Sequence, residues 1–531
     1  MTSFGRASLL IGAGTVISRL SGFVRSIVLV AALGSVGSRA ADAFSTANQL
    51  PNNIYAIIST GIITAVVVPQ IVKAASHADG GRAFVSKLFT LGTTVLLGAT
   101  ALAMVFAPLL VVAYAPNYTP DQMALATAFA YWCLPQVLFY GLYALLGETL
   151  NARNAYGPFT WAPIINNVVS VAGFGAFIAL FGPQTEVTGW TPGMVTVIGA
   201  TATGGVVAQA IVLLLFWRGA GLSLRPDFRW RGVGLRHIGR LAGWTFLMVL
   251  VGQAAGLIQS QLLSAASGYG PAATTSQNMW LLFMLPYSVI VVSIGTPYFT
   301  RLSEQAHAGN IDAVRVDVGR SITMLGLFIV LATAALAAAA IPAARIFTDS
   351  DADAPAAALM LLCYLAGLIP MSVLYIVQRS FYAFDDTRTP FLFTLLQAVL
   401  VVLTAFIASW TLPREYLGAG IALGQSFAML VQVIAGGILL RRKIGDLRAR
   451  VWLGSLARFG IAAIPAGLAG YGVFLLAGGV HGWMVSGQIL GAVGTAVVGL
   501  SATVVYVLAL AVLRAPELGP GIALVRRIVR R

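Results

Sequence analysis

Arg19 and Arg25 stand in the stretch SRLSGFVRS, which is otherwise built from apolar and small residues. Six residues apart on a helix, they are separated by about 9 Å along its axis. Two guanidinium forks at that spacing can grip an extended anion such as a diphosphate, because each fork matches phosphate oxygens bidentately. Asp42 follows in ADAFSTANQLPN, ahead of a break expected at Pro51 and Asn52. Ionisable side chains at membrane depth are costly and persist where they face a cavity, a partner or a substrate. The bland alternative is that both arginines snorkel to a membrane face or pair with Asp42.

The helix that must carry the arginines has two faces. At 100° per residue, Thr15, Ser18, Arg19, Ser21, Gly22, Arg25 and Ser26 fall on one arc of roughly 160°. Val16, Ile17, Leu20, Phe23, Val24 and Ile27 fill the other side. One side therefore meets lipid or packed helices, and the other something polar.

The 531 residues are 58% hydrophobic and 9% charged, with a mean hydropathy of +0.88. Repeated apolar runs near the membrane-spanning length make this an all-α polytopic membrane protein. Fourteen transmembrane helices are expected, near 7–33, 40–74, 83–114, 121–152, 158–181, 190–217, 236–266, 272–301, 315–347, 355–384, 388–411, 416–441, 453–478 and 483–513. No cleavable signal peptide is expected, since no short apolar core ends in a small-residue cleavage site. Cys133 and Cys363 lie in apolar helices and frame no disulfide scaffold, and neither they nor the four histidines have metal-ligand spacing. No P-loop occurs, so ATP is not the direct energy source. No cofactor or metal is expected; coupling to the membrane potential or a monovalent ion is the energetic option left.

With both termini inside, 27 of the 32 Lys and Arg fall in inner segments. Arg39, Arg345 and Arg414 fall outside, and the remaining two are Arg19 and Arg25. This asymmetry predicts cytoplasmic termini. It also reads the net +15 charge as attraction to an anionic inner leaflet, not to nucleic acid.

Residues 16–34 align without a gap on 250–268, pairing Gly22 with Gly256, Ser26 with Ser260 and Gly34 with Gly268. Pro51 pairs with Pro286, and Tyr143 with Tyr375. The repeat unit is six helices, so two lobes related by a pseudo-two-fold along the membrane normal are expected, with two extra helices. The divisions are 1–218 for the first lobe, 219–235 for a basic linker, 236–442 for the second lobe, 443–514 for the extra pair and 515–531 for a basic tail. Arg19, Arg25 and Asp42 correspond to Gln253, Gln259 and Gln277. At these positions the second lobe keeps polarity and loses charge, which suits an anion held by the first lobe with hydrogen bonds from the second. Pro51 and Pro286 each interrupt a helix in this reading and free carbonyls to line a site, or simply kink it.

Three weaker features remain. Glu148, Arg153, Asp385, Asp386 and Arg388 sit at matching inner ends of helices 4 and 10, as gate ion pairs or helix caps. Asn151, Asn166 and Asn167 serve as interhelical glue or cavity lining. Asp349, Asp351 and Asp353 read as a solvated outer loop.

SRLSGFVRS, ADAFSTANQLPN, the VVVPQ end of helix 2 and LNARNAYGPFTWAPIINNV resemble the MurJ family, also called MviN, of the MOP exporter superfamily. The resemblance spans nearly the whole chain, and the composition suits a high-GC actinobacterium. It implies two six-helix lobes and a groove on helices 13 and 14 for an undecaprenyl tail. It further implies transport of lipid II, the lipid-linked peptidoglycan precursor, from the inner to the outer leaflet. Arg19, Arg25 and Asp42 match family-essential positions, and Asn52 matches the asparagine after the helix-2 proline. Two positions depart: Tyr55 and Leu281 stand where many members carry arginine, so this cavity is less cationic.

The expectation is thus a non-enzymatic lipid II flippase of the cytoplasmic membrane working by alternating access. Its partners are lipid II, membrane lipids and cell-wall synthesis proteins. The rivals are an exporter of another lipid-linked oligosaccharide or small molecule, and a non-transporting scaffold for cell-wall synthesis. A drug exporter for cations should carry an acidic cavity; two arginines against one aspartate disfavour it.

Overall fold

The computed structural model describes residues 3–59, 82–152, 156–217, 226–228 and 235–529. Every regular element among them is helical. In chain order these include α1 (Ser3–Leu33), α2 (Arg39–Ile58), α3 (Arg82–Val105), α4 (Ala107–Tyr114), α5 (Pro120–Cys133), α6 (Gln136–Ala152), α7 (Tyr156–Phe181) and α8 (Pro192–Trp217). Then come α9 (Leu235–Leu263), α10 (Ala273–Pro286), α11 (Val292–His307), α12 (Ile311–Ala338), α13 (Ala340–Arg345), α14 (Ala354–Leu365) and α15 (Leu368–Ala383). The chain closes with α16 (Arg388–Thr411), α17 (Arg414–Ile444), α18 (Ala449–Leu476), α19 (Gln488–Val512) and α20 (Leu518–Val529).

Among the described residues, twelve helical stretches are long and apolar enough to cross a membrane. They coincide with expected spans three to fourteen. Several are two short helices in series: Pro120–Asn151 joins α5 to α6, and Ala354–Ala383 joins α14 to α15. The site residues of the N-terminal region lie on the two helices before these, α1 and α2.

The chain does not break at Pro51, contrary to expectation: α2 runs through it from Arg39 to Ile58. Proline removes one amide and crowds the carbonyl four residues back, which a helix can absorb by bending. At Pro286 the interruption is real. α10 ends there, and Tyr287–Val291 form a π-helical turn before α11.

Two compact units emerge, one of residues 1–34 and 38–265, the other of 35–37 and 266–531. The first includes α9, which packs on α2 and α4. This helix is tied to α4 and to the turn after it: Gln261 Nε2 donates to the Ala113 carbonyl at 2.7 Å, and Asn117 Nδ2 donates to the Gln261 carbonyl at 3.0 Å.

In the first unit, Phe44 meets Phe129 and Phe174 edge-to-face at 5.4 and 6.1 Å, a ring geometry that exploits aromatic quadrupoles. Glycines leave room for close side-chain packing among α6, α7 and α8. A Cβ at Gly147 would strike Phe159, one at Gly173 would strike Thr201 and one at Gly205 would strike Asn166. Small residues at such crossings are the usual device where water cannot drive helices together.

In the second unit, α17 packs on α14, α15 and α16, while α18 and α19 pack on each other and on α12. Tyr506 of α19 donates its hydroxyl to the Leu327 carbonyl of α12 at 3.0 Å. Arg345 is buried yet satisfied, giving Nε to the Val485 carbonyl at 2.8 Å and Nη1 to the Thr348 carbonyl at 2.5 Å. Gly34 and Gly268, paired by the repeat, both adopt φ near +80° just past a helix end, the left-handed cap that glycine supplies without a Cβ penalty.

In the link between α15 and α16, Asp386 makes an ion pair: its Oδ2 lies 2.6 Å from Lys443 Nζ, and Oδ1 accepts the Thr389 amide at 3.0 Å. Asp385 takes up the tight turn at φ 55°, and Arg388 opens α16. Burial pushes the Asp386 carboxyl up, but Lys443 and Thr389 outweigh it and hold it below 3.8. A depressed carboxylate stabilises the fold above its unfolded pKa, and that contribution is lost as pH falls through the folded value. Asp386→Asn is therefore expected to lower the melting temperature at neutral pH by the worth of one partly exposed pair, under about 1 kcal/mol. The gap from wild type should close on acidification below roughly pH 4; thermal unfolding in detergent across that range checks it.

Candidate functional site

The helix that carries the arginines is fastened by an asparagine. Asn167 of α7 donates Nδ2 to the Ser18 carbonyl at 3.1 Å and to Ser21 Oγ at 2.8 Å, and Ser21 Oγ donates to the Ser18 carbonyl at 2.9 Å. This clamp grips α1 at Ser18 and Ser21, on either side of Arg19. It uses part of the polar arc for helix packing, so Asn167 is interhelical glue. Ile17, Leu20 and Val24 on the far side are 42%, 59% and 48% exposed, as a lipid-facing stripe should be. Six residues at 100° place the two arginines about 120° apart around the axis. Arg19 is exposed, while Arg25 is half-buried and close enough to Tyr140 and Cys133 to interact electrostatically with both.

Around Arg25 a polar chain crosses three helices. Asn52 of α2, an exposed residue, hydrogen-bonds the Tyr140 phenol of α6. Tyr140 Oη donates to Gln136 Oε1 at 3.1 Å. Gln136 Nε2 donates to Asn48 Oδ1 at 3.2 Å and to Thr203 Oγ1 of α8 at 3.1 Å. Gln136 is fully buried; at that depth each amide atom needs a partner, and the chain supplies them. One turn beyond Asn52, the Tyr55 ring lies 5.9 Å from that of Tyr140 and hydrogen-bonds Ser59. Glu148, half-buried, faces both Tyr55 and Tyr143 electrostatically.

Arg25, Asn52, Tyr55, Tyr140 and Glu148 thus form one patch on the first unit. The patch has a fixed cation with phenol and amide donors at its Arg25 end and the Glu148 carboxylate at the other; the Arg25 end has the equipment for gripping a phosphate or sugar oxygen without a metal. Tyr55, standing where the resemblance led one to expect a cation, gives a neutral hydroxyl to the same patch. Gln136 and Tyr140 were not anticipated; the signal was there in LPQVLFY, a polar side chain in mid-span whose unsatisfied cost demanded neighbours.

The other candidates scatter. Asp42 lies ten residues before Asn52, about 15 Å along α2, and is fully buried. It sits in the first turn after the Ser38 cap, where a carboxylate complements the helix dipole. Tyr118 Oη donates to its carbonyl at 3.0 Å and shares a 2.8 Å hydrogen bond with Thr46. Gln253 and Gln259 are half-buried on α9 in the first unit, and Gln277 is exposed on α10 in the second. Pro51 is buried within α2. Arg153 lies outside the described residues.

The second unit holds a cation that sequence reading had counted as an inner-end charge. Arg379 of α15 places its guanidinium 4.9 Å from the Phe299 ring and 5.2 Å from the Tyr375 ring, with Tyr287 close by. Leu281 is half-buried on α10. The second lobe is thus uncharged at the three repeat-matched positions but not elsewhere.

A family model described as lipid II flippase MurJ matches residues 29–493. A probable lipid II flippase MurJ of Rhizobium meliloti (strain 1021) is 27% identical over 402 residues, covering 72% of this chain and 71% of that protein. Its counterpart in Buchnera aphidicola subsp. Acyrthosiphon pisum is 26% identical over 453 residues, covering 82% and 83%. Among solved structures, a lipid II flippase MurJ in an inward closed conformation superposes with a TM-score of 0.73 at 17% identity, over 95% of this chain and 98% of that one. An inward-facing multidrug-resistance MATE transporter of the MOP superfamily gives 0.64 at 14%, over 83% and 99%.

Proposed function

The chain belongs to the lipid II flippase MurJ family, and from that premise we propose that it carries lipid II from the inner to the outer leaflet of the cytoplasmic membrane. It is a multi-pass membrane protein, and the family is one of transporters. The observation that carries the reading beyond the family name is the Arg25 patch. Diphosphate is the one strongly charged part of such a lipid, and the patch sets a guanidinium beside neutral phenol and amide donors at membrane depth.

The physics of the step is charge compensation. A diphosphate stripped of water and unpaired in hydrocarbon faces a prohibitive solvation cost. Arg25, joined by Arg19 on the same helix, neutralises it, while Asn52, Tyr55 and Tyr140 take the remaining oxygens. Gln253, Gln259 and Gln277 supply further hydrogen bonds. The sugar–peptide headgroup crosses in the polar path and the prenyl tail stays in lipid, along the pair of helices within 443–514. The first and second lobes, 1–218 and 236–442, open the path alternately to each side. An inside-negative potential favours outward movement of the anion by about 2.3 kcal/mol per charge per 100 mV. A monovalent ion is the other coupling option, and Asp42 orients an arginine or takes part in that coupling. Positive-inside asymmetry puts both termini in the cytoplasm.

The likeness in fold to MATE transporters keeps export of other substrates as the rival reading, but a site built round arginine disfavours cations. The test is lipid II accessibility to an externally added cleaving toxin in cells depleted of their own flippase. Expression of this chain should restore cleavage to the undepleted level. Correct insertion without any restored cleavage would reject lipid II as cargo.

A further inference from the structure

The second unit holds a pocket of about 610 Å³, within the size range of small-ligand sites; it borders the start of the helix pair given above to the prenyl tail, but its arginines have no part in the transport reading. It forms where the α11–α12 turn, the α17–α18 turn and the segment after α19 meet. Four arginines line it: Arg301 from α11, Arg315 and Arg320 from α12, and Arg448 from the α17–α18 turn.

Their partners decide what the pocket can take. Arg301 is paired with Asp317 at 3.3 Å and Arg315 with Asp312 at 2.7 Å. The single acidic lining residue, Glu517, is already engaged: Arg458 reaches one oxygen at 3.3 Å and Ser455 Oγ donates to the other at 2.7 Å. Arg320 and Arg448 have no salt-bridge partner among the described residues. Arg448 is moreover held at φ 50°, left-handed backbone that a side-chain-bearing residue adopts at a cost. Asp446 Oδ1 fixes it there by accepting its amide at 3.1 Å. Strain of this sort tends to be kept at functional positions.

The walls between the arginines are apolar. Val316, Met324 and Val451 line them, and the Trp452 indole is fastened by donating to the Leu447 carbonyl at 3.2 Å, in the manner of aromatic side chains at a membrane–water boundary. Arg320 lies nine residues inside the span beginning at Ile311, about 14 Å from its end. A soluble anion has no use for greasy walls, and a hydrocarbon chain has none for two unpaired guanidiniums. Both suit one molecule.

The geometry points to a binding site for an anionic glycerophospholipid. Its phosphodiester lies between Arg320 and Arg448, and its acyl chains leave along Val316, Met324 and Val451. With the termini oriented as above, this lipid is drawn from the inner leaflet. The site stands whether or not lipid II is the cargo.

The full chain, purified and placed in phosphatidylcholine nanodiscs with and without phosphatidylglycerol, tests it by thermal unfolding and by native mass spectrometry of retained lipid. Wild type should retain phosphatidylglycerol and melt higher in its presence. Arg320→Ala/Arg448→Ala should lose retention by ~10-fold or more and lose the melting increment, while melting as wild type does in phosphatidylcholine alone. Arg320→Gln, a milder change at an exposed position, should show the same loss in part. Arg441→Ala/Arg442→Ala, which removes two exposed charges outside the pocket, should retain the lipid. Equal retention by the wild type and the Arg320→Gln and double variants would overturn the proposal, as would equal loss in the Arg441/Arg442 control. Stabilisation by soluble glycerol phosphate as large as that by the lipid would also overturn it.

Discussion

Arg25→Ala is expected to cut delivery of lipid II to the outer leaflet by roughly 10- to 100-fold, the worth of one charge-assisted hydrogen-bonding group, with the protein inserted at its normal level. The side chain is half-buried and shares its surroundings with Tyr140 and Asn52. Those neighbours are neutral and cannot replace its charge. Arg25→Lys should recover part of the loss: the charge returns, but the planar fork that grips two phosphate oxygens does not. Toxin cleavage of surface-exposed lipid II in depleted cells reads both variants. The order Ala below Lys below wild type is the signature of an anion contact. Equal activity of all three would remove Arg25 from the transport path.

Gly418→Ala is expected to be among the most damaging small substitutions in the second unit. A Cβ there would run into the Pro271 carbonyl oxygen, and the Met360 methyl stands 3.1 Å away. Backbone cannot swing aside as a side-chain tip does, so the helix must move. Overpacking of well-packed interiors costs about 1–3 kcal/mol and more where backbone is the obstacle. The residue before Pro271 is also a tightly placed glycine: a Cβ at Gly270 would lie 2.8 Å from the Glu415 carbonyl oxygen, so neither wall can yield. The expected outcome is a large drop in melting temperature or loss of the inserted protein. A neighbouring change at Gly437, where a Cβ meets nothing within 4 Å, should be tolerated.

The apolar runs made the helices legible, because membrane-spanning length and composition leave few other options. They were also why span pairs such as α5–α6 looked like single long helices: hydropathy does not register a two-residue kink. Arg25 and Asn52 could be singled out because polar groups in hydrocarbon are conspicuous. Their partners could not, since Tyr140 and Gln136 meet them only through the packing of α6 against α2. Asp42 shows the limit from the other side. Sequence marked it as costly, but only the fold shows it buried at a helix start, about 15 Å along α2 from Asn52. Pro51 misled because proline's missing amide is a local fact, whereas whether a helix bends or breaks is settled by its neighbours.

The glycine contacts among α6, α7 and α8 carry a mechanical consequence. Gly147 lies against Phe159, Gly173 against Thr201 and Gly205 against Asn166 with no room for even a methyl group, so sliding or rolling these three helices past one another meets packing resistance at each crossing. Asn167 fastens α1, and with it the arginines, to this same block. The arginines are therefore mounted on the stiff end of a lever. Whatever force moves them moves the block with them, and the compliance needed for a transport cycle has to be found at its attachments.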